Sequence, residues 1–391
     1  MKLLGAMPKL PMPKLLIATT IPETMYAFLL PYVQHFRQKG WVVDGMAHNI
    51  SRFSPCVKAF DQVWDVEWSR NPLSPQNFRL ALPKIQKIVE QGQYDLVHVH
   101  TPVAAFLTRC ALRKLRTQTN LKVIYTAHGF HFYKGNSLLK NLAFGTMEKI
   151  AGAWTDYLVV INREDEAAAH RYRLVPPQQV VYMPGIGVDL AHYDPQQVTA
   201  GAITTVRQEM NLSDADRLFL AIAELSSRKR SLDILQAFAK LNTSNVHLAF
   251  AGSGPLLPML QQQAQDLQVQ SRVHFLGLRQ DIATLIRASV ATVLVSRQEG
   301  LPRSVMESLA LEVPVIGTNI RGTKDLLAEG GGVLVEVGHT YEIASAMQKI
   351  LDNPQEALEM GQVGRQQMAA FDLKTTLTLH QSLYSEALSQ H

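Results

Sequence analysis

The chain has 391 residues, 47% of them hydrophobic and 18% charged, with a net charge of +5. These are the proportions of a globular protein long enough for two domains of ordinary size. Two cysteines, Cys56 and Cys110, exclude a disulfide framework and fit a reducing compartment, and no run reaches the roughly 18 apolar residues of a membrane-spanning helix. Charge divides unevenly: residues 1–150 hold 19 Lys and Arg against 8 Asp and Glu, whereas residues 151–391 hold 19 against 25.

Residues 1–13 read as an extension broken by prolines, without the apolar centre of an export signal. From Lys14, LLIATT has the composition of a buried strand, IPETMYAFLLPYVQHFRQKG that of a helix closed by Gly40, and WVVDGMA that of a second strand. This is a Rossmann-like opening, yet the Gly-x-Gly-x-x-Gly fingerprint of a dinucleotide site is missing, and Thr19, Thr20, Ile21 and Pro22 follow the first strand. Residues 94–100 (YDLVHVH) form the next strand. A helix after Thr101-Pro102 carries Arg109, Arg113, Lys114 and Arg116, a basic patch suited to an anionic membrane surface or a phosphate-bearing acceptor. No nucleic-acid module accompanies it. The strand Val123 to Thr126 delivers Ala127, His128, Gly129 and Phe130 to the carboxyl edge of the sheet.

A helix near residues 138–154, the strand YLVVIN and a helix over 163–173 lead to VVYMPGIGVDLAHYD, which closes a first domain at residues 14–190. Residues 191–215 read as a linker. The second domain, 216–369, repeats the alternation of strand and helix. Its loops carry the run Arg228-Lys229-Arg230, the turn Gly252-Ser253-Gly254, and Leu278 with Arg279 after a strand. Residues 370–391 form a last segment.

The most informative stretch is residues 290–318. An apolar run from Val290 to Val295 suits a strand buried on both faces, and a polar loop spans Ser296 to Pro302. A helix over 303–312 follows, with Val305, Met306, Leu309 and Ala310 at helical spacing, before Pro314 and a further strand. The backbone N–H groups of Gly300, Leu301, Arg303 and Ser304, around Pro302, belong to a helix N-terminus, where donors and dipole favour a diphosphate. Glu299 and Glu307 bracket them. Carboxylates beside a phosphate cradle suit sugar and ribose hydroxyls, so the implied ligand is a nucleotide sugar.

The pattern EGLPRSVMES resembles the signature of the retaining glycosyltransferases of family 4, and HGFHFYKG is similar to the matching segment of bacterial capsule and exopolysaccharide glycosyltransferases. The resemblance runs from about Lys14 to the end. It implies an α/β GT-B fold: two Rossmann-like domains with parallel sheets facing a central cleft, and a C-terminal helix crossing back to the first. By the same resemblance the first domain takes the acceptor and the second a nucleotide sugar, the implied donor being UDP-linked. The implied reaction is hexosyl or N-acetylhexosaminyl transfer to a glycan acceptor on polyprenyl diphosphate, for cell-surface polysaccharide, by a peripheral protein at the cytoplasmic face of the membrane.

The resemblance also assigns roles. Glu299 positions the donor sugar, Glu307 holds the ribose, and His128 contacts the sugar near its reacting carbon. Lys229, with Arg228 or Arg230, neutralises the diphosphate; Gly252, Ser253 and Gly254 form the glycine loop, and the backbone at Leu278 and Arg279 grips the base. Neither metal nor cofactor is implied. His98, His100 and His131 read as structural. Three departures stand out: Thr19 to Pro22 in place of a glycine pair, Glu224 in place of a common arginine, and Gly185-Ile186-Gly187-Val188-Asp189 in place of Asn-Gly-Val-Asp. A nucleotide-sugar 2-epimerase of the same fold, or a non-catalytic partner subunit, are the alternative readings.

Overall fold

The computed structural model describes residues 12–69, 74–133, 135–241 and 243–389. Most of the extension, and Lys134 of HGFHFYKG, lie outside them. The chain forms two units, the first comprising the chain to Ile161, Asp165–Met183 and the end from Leu377, the second Asn162–Glu164 and Pro184–Thr376.

The first unit is built on β1 (Lys14–Ala18), β2 (Val42–Ala47), β3 (Val63–Asp65), β4 (Leu96–His100), β5 (Lys122–Ala127), β6 (Tyr157–Val160) and β7 (Val180–Tyr182). They lie parallel in the order β3-β2-β1-β4-β5-β6-β7. β1, β4, β5 and β6 are near-continuous in buried residues because helices cover both faces of the sheet. The second unit has β8 (Arg217–Ile222), β9 (Val246–Ala251), β10 (Val273–Gly277), β11 (Ala291–Leu294), β12 (Val315–Thr318) and β13 (Gly332–Val335), parallel in the order β10-β9-β8-β11-β12-β13. In each sheet the strand order reverses beside the first strand of the unit, β1 or β8. Such a reversal opens a crevice at the carboxyl ends, where ligands of open α/β sheets bind.

Two expectations are corrected. The single helix over residues 21–40 is two, Pro22–Phe28 and Leu30–Gln38, because Pro31 has no N–H to give and its ring would crowd the preceding turn. Residues 191–215 are not an open linker. They contain the helix Ala200–Glu209, and Tyr193, Val206, Met210 and Leu212 are buried in a hydrophobic cluster of the second unit with Met306 and Leu309. The last helix, Leu373–Ser389, starts in the second unit, where Asp372 bridges Val188, and from Leu377 belongs to the first.

Candidate active site

In the second unit the glutamate loop joins β11 to the helix Arg303–Ala310. Pro302 is the N-cap, with extended backbone, so helical hydrogen bonding begins with the amides of Val305 and Met306 on its carbonyl. Six of the helix's eight residues are buried, which draws Glu307 inward with its apolar neighbours. The loop is fixed from several sides. Asn162 Nδ2 donates to the Gly300 carbonyl at 3.3 Å, and Arg321 Nε donates to the Glu299 carbonyl at 3.2 Å. Gly322, with φ of +76°, lies so close that a Cβ there would stand 2.0 Å from the Gly300 oxygen. A Cβ at Gly185, with φ of +71°, would meet the Leu301 side chain at 2.6 Å, which explains a glycine within the Gly185 to Asp189 segment.

Glu299 is 8% exposed, and Lys229 Nζ lies 2.6 Å from its Oε1, with Arg228 Nη1 at 3.5 Å. Arg228 also donates to the Gln298 carbonyl at 3.1 Å and accepts, through its own carbonyl, the Arg297 amide at 2.9 Å. The basic loop after β8 is thereby laced to the glutamate loop after β11, on neighbouring strands. Arg230 is turned elsewhere, pairing with Asp233. Glu224 is exposed.

Glu307 is 6% exposed and its Oε1 accepts from the Tyr193 hydroxyl and from Arg303 Nε, each at 2.7 Å. Burial pushes the Glu307 carboxyl up, and Arg303 and Tyr193 oppose that rise. Nothing in sequence spacing points to Tyr193, which lies in the segment read as a linker. The same unit carries the turns after β9 and β10. A Cβ at Gly252 would stand 1.9 Å from the Ala223 carbonyl oxygen, and one at Gly254 would stand 2.5 Å from that of Leu225. Ser253 accepts the Leu225 amide through its carbonyl at 2.9 Å. Leu278 is exposed, while the Arg279 guanidinium is held by Asp281 and Glu209, which raise its pKa.

In the first unit, the register pairing His100 with Thr126 sets His98, His100, Thr126 and His128 on one face of β4 and β5 by the two-residue period of a strand. His100 Nδ1 and His128 Nε2 are 3.0 Å apart, and His98 bonds Thr126 Oγ1 at 2.7 Å and the Tyr384 hydroxyl of the last helix. His380 from that helix stacks on His98 with ring centroids 5.8 Å apart. Burial lowers His98 and His100 well below the ordinary imidazole range and His128 to about 4, so all three rings are neutral at pH 7. His128 therefore reaches the carboxyl edge as a hydrogen-bonding group rather than a cation. Among the described residues no group of three or more His, Cys, Asp or Glu is gathered as a metal would need.

The region after β1, where the resemblance implies a glycine pair, is tied down instead. Thr20 N–H donates to Thr101 Oγ1 at 2.9 Å and the two hydroxyls are 2.8 Å apart, with Thr101 at φ of +63°. A β-branched residue at positive φ is strained by about 1–3 kcal/mol. One member of the basic patch is corrected: Arg109 is 1% exposed, pairs with Glu148 at 2.8 Å and lies over the Tyr125 ring, while Arg113 and Lys114 are exposed. Arg116 pairs with Asp156 at 2.6 Å and Arg113 donates to the Cys110 carbonyl at 2.6 Å.

The profile of glycosyltransferase family 4 matches residues 30–192, and that of the group 1 glycosyl transferases matches residues 202–367. EpsD of Bacillus subtilis strain 168, named as a glycosyltransferase, is 32% identical over 95% of this chain and 96% of its own length. The chain belongs to glycosyltransferase family 4. An Escherichia coli UDP-Gal:α-D-GlcNAc-diphosphoundecaprenol α-1,3-galactosyltransferase is 26% identical over 70% of each chain. Among solved structures, a glycosyltransferase from Rickettsia africae ESF-5 superposes with a TM-score of 0.81 at 16% identity, covering 98% of this chain and 100% of that one. Anabaena HepE, solved with UDP and glucose, gives 0.79 at 18%, covering 96% and 100%. The family-4 chain thus has the GT-B architecture in both sheets.

Proposed function

We propose that this glycosyltransferase moves a hexosyl or N-acetylhexosaminyl group from a UDP-linked donor, with retention of configuration, to a glycan on polyprenyl diphosphate during cell-surface polysaccharide synthesis. The observation that carries the reading is the buried Glu299 carrying Lys229 and Arg228 beside the helix N-terminus at Arg303. Two cations and a helix dipole face the place where diphosphate charge grows as the glycosidic bond breaks. The acceptor hydroxyl attacks the anomeric carbon on the face that the diphosphate leaves, and its proton passes to the departing phosphate oxygen. Glu299 accepts donor sugar hydroxyls, Glu307 the ribose hydroxyls, and neutral His128 a hydrogen bond near the reacting carbon. Because Lys229 and Arg228 supply positive charge at the diphosphate, no metal is required, and transfer persists in chelator.

The Escherichia coli galactosyltransferase, which acts from UDP-Gal on a diphosphoundecaprenol-linked sugar, supports a UDP donor and a lipid-linked acceptor, and the HepE complex with UDP supports the donor. The test is a nucleotide-sugar panel read by thermal shift and nucleotide release, with and without a lipid-linked sugar. Stabilisation by one UDP-sugar, with release dependent on acceptor, is the expected outcome. Stabilisation by no nucleotide or nucleotide sugar overturns the reading.

A further inference from the structure

The helix Leu138–Gly152, LLKNLAFGTMEKIAG, is at the surface of the first unit, yet apolar residues occupy both its faces. Inward, Phe144 and Met147 line a cavity of about 310 Å³ with Ile21, Pro102 and Phe106. Outward, Leu138, Leu139 and Leu142 are 86%, 80% and 69% exposed, and Ile150 is exposed too. Single exposed leucines need no explanation, but four large aliphatic residues on one side of a helix form a face that water does not favour.

The charges around that face select its occupant. The helix itself holds Lys140, Lys149 and one acid, Glu148. That acid is turned inward, onto Arg109 at 2.8 Å and the Tyr125 hydroxyl at 3.1 Å. The helix therefore presents leucines together with exposed Lys140 and Lys149 and no outward carboxylate. A second copy packed on this face by two-fold symmetry would bring lysines against lysines. An anionic bilayer complements both features, taking the leucines at the acyl boundary and the lysines at the phosphates.

We infer that helix Leu138–Gly152 is the element that docks this chain on an anionic membrane, in place of the patch at Arg109, Arg113, Lys114 and Arg116. The inference rests on the lipid-linked acceptor proposed above. It is tested by flotation of the full chain with phosphatidylcholine vesicles, with and without phosphatidylglycerol. The wild type floats with the anionic vesicles, and Leu138→Ser/Leu139→Ser/Leu142→Ser loses about tenfold or more of that partition. Because the three side chains are exposed, its thermal unfolding stays that of the wild type. Lys140→Gln/Lys149→Gln weakens the dependence on phosphatidylglycerol. Transfer to a short-chain, water-soluble acceptor is unchanged in the leucine variant, whereas transfer to a vesicle-embedded acceptor falls. Undiminished flotation of the leucine variant, or a wild type that does not float, overturns the inference. So does a dimer seen by light scattering in the wild type and lost in the variant. A wild type that floats but transfers to neither acceptor overturns the proposed function and leaves the docking element standing.

Discussion

Lys229 Nζ and Glu299 Oε1 lie 2.6 Å apart on loops that follow neighbouring strands, which makes cation and carboxylate one unit. Glu299→Ala loses several hundredfold in turnover, and Lys229→Met loses about 10²–10³-fold, since both alter charge placed at the leaving group. The double variant Lys229→Met/Glu299→Ala loses little more than the worse single change. A double-mutant cycle on kcat/KM, with circular dichroism confirming the fold, checks this. Fully additive losses would mean that the two side chains act separately.

Glu307 must be ionised to accept two ribose hydroxyls, and its burial works against that state. Tyr193 opposes the burial by donating to the carboxylate at 2.7 Å. Tyr193→Phe therefore moves the acidic limb of kcat/KM for the donor to higher pH by about one unit, the size of a hydrogen bond to a charged group. The limb on kcat at saturating donor moves less. Profiles of both variants on one donor decide it.

His98, His100 and His128 are held neutral by burial, and the unfolded chain takes up protons on these rings near the ordinary value of about 6.5. The unfolded state then binds more protons than the folded one. Stability is therefore fully present above about pH 6.5 and is lost as the pH falls toward 4, by up to about 1.4 kcal/mol per pH unit for each ring. Thermal unfolding followed across that range shows the decline, and His100→Gln makes it shallower.

Arg109 and Glu148 form an ion pair in which the arginine is nearly inaccessible. Arg109→Met leaves a carboxylate facing Tyr125 without its cation, at a cost of about 3 kcal/mol or more, while Lys114→Gln costs less than about 0.5 kcal/mol. Adding Glu148→Gln to Arg109→Met recovers part of the loss. Urea unfolding of the three variants measures it.

The sequence shows the two sheets clearly because a parallel strand covered on both faces must be apolar along its length, as in residues 123–126 and 291–294. Glu299, Glu307 and Lys229 are equally visible, each tied to a strand end or a helix start. What escapes is side-chain company that spacing does not encode. Tyr193 reaches Glu307 across 114 residues, and a polar segment with Pro195 and Gly201 gives no sign that it covers a carboxylate. Arg109 looks like its basic neighbours until the turn of the helix buries it against Glu148, 39 residues on. The break in the first helix was legible, since Pro31 forbids an unbroken turn.

His98 sits in the fourth strand, and its ring is closed over by Tyr384 and His380, 286 residues away in the case of Tyr384. During synthesis the second unit, from Pro184 to Thr376, has all its strands before the last helix exists. The first unit, although made earlier, waits with the β4 histidines uncovered until residues 377–389 have left the ribosome. Translation therefore finishes the N-terminal half last, reversing the usual order in which nascent domains mature.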